Sequence, residues 1–236
     1  MGVDVSKKTS GNERRAQVEA VKREQKSGER RRNVITAVVG ASFAALILGG
    51  TAIGLANQRN NDPAKKPASA LGVAADAAEC GTVTKDRVGA SGQHVNPDSP
   101  AVKYATAPPS SGAHFPEPAA ATRNFYAADE GPRVEELVHN LEHGYTVAWY
   151  VPTTAADDID TLERIAINIT ANLTPKFIVA PWDPTYGAFP EGKSIALSQW
   201  GVKAGSRQFC GTPSGEAIQQ FVTAHPSTDS PEPNAA

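Results

Sequence analysis

Residues 33–57 run for 25 positions without a charge, and this one stretch divides the chain into parts that cannot share a core. As a helix the run would be about 37 Å long against a hydrocarbon thickness of roughly 30 Å, so a single transmembrane helix is expected. A buried core helix is usually shorter, and Arg30-Arg31-Arg32 at the border argues against one. A cleaved signal peptide would have a shorter apolar run and a small-residue cleavage site. Lys and Arg cluster before the run, with only Arg59, Lys65 and Lys66 close behind it. The positive-inside bias then places the N-terminus in the cytoplasm and the larger C-terminal part outside. Gly50 and Gly54 form a small-xxx-small pair through which two such helices could approach as a homodimer.

The formal charge of −2 conceals an asymmetry. Residues 1–32 hold ten Lys/Arg against five Asp/Glu, a balance of +5, which leaves −7 for the rest of the chain. An acidic body of this kind excludes nucleic acid as its partner. The basic segment 1–32 has almost no large apolar residues and is expected to be disordered or transiently helical on the cytoplasmic side. Residues 58–78, rich in Pro, Ala and Lys, are expected to be a linker. The folded extracytoplasmic domain is expected over 79–225, and the Ser/Pro/Glu-rich tail 226–236 is expected to be disordered.

Within the domain, Pro, Gly and Ser are dense up to about Pro132, which favours turns and short extended pieces over helices. Regular elements follow. Residues 134–143 read as a short helix stopped by Gly144, and 145–151 as a strand of β-branched and aromatic residues closed by Pro152. Ile159, Leu162, Ile165, Ala166 and Ile169 then fall on one helix face, with Thr154 or Asp157 as the cap. Residues 176–180 and 194–201 read as further strands, and Pro213 opens a last helix to about Ala224. The β-α-β order around 145–180 predicts an α+β domain, a small mixed sheet with helices packed on it.

The two cysteines, Cys80 and Cys210, both lie beyond the apolar run, in what would be an oxidising compartment, so a disulfide between them is expected over free thiols or metal ligands.

The segments His94-Val95, Tyr104, Pro108-Pro109-Ser110-Ser111-Gly112-Ala113-His114, Val138-His139-Asn140-Leu141-Glu142-His143-Gly144 and Ile195-Ala196-Leu197-Ser198-Gln199-Trp200-Gly201 carry a resemblance to a known family. Through them the chain resembles the DUF3105 family over roughly residues 80–225, with Ser110 and Ala113 where members commonly have Thr and Pro. The resemblance implies a single-pass, membrane-anchored protein and brings no activity with it, so chemistry must come from the residues.

Four of the five histidines, His94, His114, His139 and His143, lie within 50 residues of one another. His139 and His143 stand four apart and share a helix face, with Glu142 beside both. Imidazoles at that spacing, joined by His114 or His94 from a loop and by Glu142, would make a zinc or copper site. Met1 is the single methionine, which disfavours a Met-rich copper(I) carrier. Three further readings remain open. The side chains, with Ser110 and Ser111, could form a buried polar network that holds the Pro-rich loop. His139-Asn140-Leu141-Glu142-His143 spells the H-x-x-E-H of zinc hydrolases, with His114 as third ligand and Glu142 as base; Ser110 or Ser111 beside a histidine would be the serine variant. A Pro-rich surface could instead serve a cell-envelope partner. The preferred reading is a non-enzymatic domain whose His/Glu cluster is structural or binds a transition metal.

Overall fold

The computed structural model of the chain describes residues 14–20, 22–34, 36–37, 40 and 61–235. It comprises two units, residues 1–61 and residues 62–236. In the first, residues 14–20 and 22–34 are helical and exposed. Among the described residues no helix is long and apolar enough to cross a membrane. Most of the run 33–57, including Gly50 and Gly54, lies outside the described residues.

The second unit is a mixed α+β domain built on a five-stranded sheet of order β1-β5-β4-β2-β3. The strands are β1 (Thr84–Asp86), β2 (Thr146–Tyr150), β3 (Phe177–Pro181), β4 (Ile195–Trp200) and β5 (Gly205–Cys210). The helices are α1 (Val134–Glu142), α2 (Ala156–Asn172) and α3 (Gly215–Ala224). β2 and β3 pair in parallel, as a β-α-β unit through α2 requires, while β2–β4, β4–β5 and β5–β1 are antiparallel.

Every residue of β2 is buried because both faces of the sheet are covered. Ala148 and Tyr150 join Leu162, Ile165, Ile169, Ile218 and Phe221 in a core under α2 and α3. Val147 and Trp149 point the other way, into a core with Leu137, Val138 and Leu141 of α1. The period-two alternation of the strand thus feeds two cores, and the central strands are held on both sides.

The structure corrects four expectations. α2 starts after Ala155 with no side-chain cap; Asp157 lies in its first turn, not at its cap. β1 and β5 were not foreseen. Residues 62–78 are no free linker, since Asn168 Nδ2 donates to the carbonyls of Pro63 and Lys66, both at 2.8 Å, and Leu71 and Ala78 are buried. Nor is the segment 226–235 loose. Val202 N donates to Asp229 O at 2.7 Å, Glu232 N to Glu142 O at 3.1 Å, and Lys176 Nζ to the carbonyls of Pro233 and Ala235, both at 2.8 Å. Cys80 and Cys210 form the expected disulfide, tying residues next to β1 to the end of β5 across 130 positions.

Candidate metal centre

α1 is nine residues long and buried along nearly its whole length, so its polar side chains must find partners inside the protein. Its start is fixed by Glu136, whose carboxylate accepts from Arg133 N at 2.7 Å. Its end is set by Gly144 at φ 90°, where a Cβ would lie 2.6 Å from the carbonyl oxygen of Ser227. Asn140, at its middle, both donates to and accepts from the backbone of Ala119, each at 3.0 Å. This clamp lays residues 114–119 along the helix. Phe115 O then accepts from His139 Nδ1 at 2.7 Å.

A carbonyl oxygen only accepts, so that bond settles the tautomer: Nδ1 of His139 carries the proton and Nε2 exposes a lone pair. His114 is arranged in the same way, its Nδ1 donating to Gly112 O at 2.8 Å. Residues 93–95 pair with 114 through Val95 N to His114 O at 2.8 Å and His114 N to Gln93 O at 3.0 Å, which brings His94 alongside. One ligand-capable atom from each of His94, His114, His139 and Glu142 lies within 4.8 Å of all the others. His114, His139 and Glu142 are buried; His94 is exposed and forms the solvent side.

The electrostatics favour ligand-competent forms. Burial, reinforced by the neighbouring histidines and partly opposed by the Phe115 carbonyl, pushes the His139 imidazole down to about 4, so it is neutral near pH 7. Burial pushes the Glu142 carboxyl up, but the N–H of Gly92 at 2.6 Å, the Ser91 hydroxyl and the adjacent imidazoles outweigh it and hold the group below its ordinary value. An ionised carboxylate thus stands beside the neutral His139 imidazole.

One contact is anomalous as protein chemistry. His114 Nε2 is 3.0 Å from Glu142 Oε2, yet no hydrogen bond joins it to anything, and it is fully buried. The distance alone would suggest an ion pair. The Nδ1 proton is already given to Gly112 O, so with a neutral ring two acceptors would face each other with no proton between them. Donor atoms held about 2.0–2.1 Å from one zinc ion lie about 3.0–3.4 Å apart; His114 Nε2 and Glu142 Oε2 stand 3.0 Å apart, and the four donors together lie within 4.8 Å of one another.

His143 stands outside this set. Its Nε2 is 3.0 Å from His139 Nε2 and 3.6 Å from Glu232 Oε2. Ser110 and Ser111 are not part of the cluster either: Ser110 Oγ donates to Asp86 at 2.8 Å, and Ser111 Oγ accepts from Gly89 N at 3.1 Å. That removes the serine nucleophile and narrows the polar network. The cleft lined by Pro132, Arg133, Pro181, Trp182, Pro184 and Tyr186 contains none of the histidines. Sequence reasoning missed Asn140 and Gly92 as positioning groups, and Glu232. Asn140 sits inside the conspicuous motif, whereas nothing marked Glu232.

Sheet, covering helices and an imidazole–carboxylate cluster between α1 and a Pro-rich loop define an α+β domain built around a polar centre. The chain belongs to the family described as protein of unknown function (DUF3105), which matches residues 94–236. The match takes in all four residues of the cluster and the segment carrying Glu232. No curated protein and no solved structure matches the chain.

Proposed function

We propose that this protein is a membrane-anchored, extracytoplasmic metal-binding domain, holding zinc or copper(II) between His94, His114, His139 and Glu142. The observation that carries the reading is the convergence of two imidazoles, each turned by a backbone carbonyl at Nδ1, on the Glu142 carboxylate, with the buried His114 Nε2 in no hydrogen bond. Ligating histidines almost always give their second N–H to a carbonyl or carboxylate in this way. Three nitrogens and one oxygen suit zinc or copper(II) better than the hard cations. The anchor is the uncharged run 33–57, with the N-terminus cytoplasmic; Gly50 and Gly54 would mediate any pairing of anchors.

Four protein donors complete a tetrahedral shell, which supports storage, transfer or structural use of the ion over hydrolysis, since a catalytic zinc keeps one position open. Glu142 is also poorly placed as a base: Gly92 N occupies Oε1 and His114 stands against Oε2. A second reading, a polar network with His114 protonated toward Glu142, is favoured by their 3.0 Å approach.

Metal analysis of the purified chain before and after chelation separates the two. One zinc or copper per chain is expected, lost in His114→Ala and His139→Ala with the fold preserved. No bound metal in the native protein, after reconstitution with either ion, would leave the polar network as the account.

A further inference from the structure

Beside the buried donors, on the α1 side, stand His143, which is 11% exposed in its side chain, and Glu232, which is 45% exposed. His143 Nε2 lies 3.0 Å from His139 Nε2 and 3.6 Å from the Glu232 carboxylate. The His139 lone pair is therefore shared geometrically by two donor groups, the buried one and a second formed with His143 and Glu232. The second is built, not accidental. Glu232 N donates to Glu142 O, and Lys176 Nζ holds His143 O at 2.7 Å together with the carbonyls of Pro233 and Ala235, so one ammonium fixes both the end of α1 and the segment that carries Glu232. Gly144 lets that segment approach, because a Cβ there would meet Ser227 and Ser230.

We propose that His143 and Glu232 form an outer station for a divalent transition-metal ion, which takes the ion from solvent and passes it to the buried donors through His139. The proposal rests on the metal-binding reading above. An ion at the outer station has one carboxylate and two imidazole donors; moving inward it keeps His139 and exchanges His143 and Glu232 for His94, His114 and Glu142. The ion keeps protein donors at every stage, so no bare charge is taken into the interior on this side. A station on the path lowers the barrier in both directions and leaves the end states unchanged. Loading and release should therefore slow together when it is removed, while the equilibrium affinity stays put.

The test is stopped-flow transfer of Zn2+ from a fluorescent chelator to the full-length chain, with the equilibrium constant measured separately by competition. Glu232→Gln is expected to slow loading and release alike by about tenfold, the effect of a barrier raised by about 1.4 kcal/mol, with one zinc per chain still bound at unchanged affinity. The defect should persist at high salt, where simple charge attraction is screened, and Glu232→His, which restores a donor without the negative charge, should recover the rate. Wild-type loading rates in Glu232→Gln would overturn the station. So would an affinity weakened by the same factor as the loading rate, which would make Glu232 a ligand or a fold support. Absence of zinc binding by the native chain at equilibrium would instead defeat the metal-binding reading, and the station with it.

Discussion

Orientation of a few side chains by backbone groups decides most of the chemistry. His114 and His139 are each fixed at Nδ1 by a carbonyl from the loop between Gly112 and Phe115. Asp86 shows the same economy away from the site. Burial alone would push its carboxyl up, but Arg207, at 2.6 and 2.9 Å, and the Ser110 hydroxyl outweigh it and hold the group below its ordinary value. A carboxyl lowered in the folded state stabilises above its unfolded pKa and loses that contribution as pH falls through the folded value. Asp86→Asn is therefore expected to cost roughly 1.5–3 kcal/mol near neutral pH, the range for charge-assisted hydrogen bonds. The gap to wild type should shrink below about pH 4, which urea melts at stepped pH would measure.

Among the elements, α1 carries the greatest load. Asn140 bonds both backbone groups of buried Ala119, whose N–H also reaches Glu136 O at 3.4 Å, so Asn140→Ala leaves the Ala119 carbonyl unpaired at roughly 1–3 kcal/mol. Chemical denaturation should show that loss, and metal affinity should fall too although Asn140 touches no ion, because Phe115 O would no longer hold the His139 tautomer. α1, β2, α2, β3 and β4 were legible because their apolar spacing or β-branched runs state their period. β5 was not. Gly205, Ser206, Arg207 and Gln208 have weak strand propensity, and what makes them a strand is pairing with β4 on one side and β1 on the other. The spacer and tail were misread for a related reason. Pro, Ala, Ser and Glu look like free chain, yet carbonyls of these segments are captured by Asn168 and Lys176, partners distant in sequence. In the site, the helical pair and the grouping of histidines were readable; the tautomers, and Glu232 beside His143, depend on loop packing that no spacing encodes.

On the scale of the molecule, the Cys80–Cys210 bridge closes the longest covalent loop in the chain. Joining residues 130 apart removes unfolded-state entropy worth roughly 4–5 kcal/mol in the chain-entropy account. The Cys80→Ala/Cys210→Ala double variant should lose stability of that order, read as a lower denaturant midpoint with an unchanged slope. The segment before β1 and the loop leading to α3 would be the first to exchange amide protons.

Three donors in the cluster are buried, each held by a backbone contact in a packed interior, while His94 faces water. A cage whose walls cannot move apart has a fixed bore. Calcium, which wants six to eight oxygens at about 2.3–2.6 Å, would find too few donors, and three of the four are nitrogens. Small, nitrogen-seeking ions would be admitted even where the surrounding fluid is rich in calcium, and the selection would be made by rigidity rather than by charge.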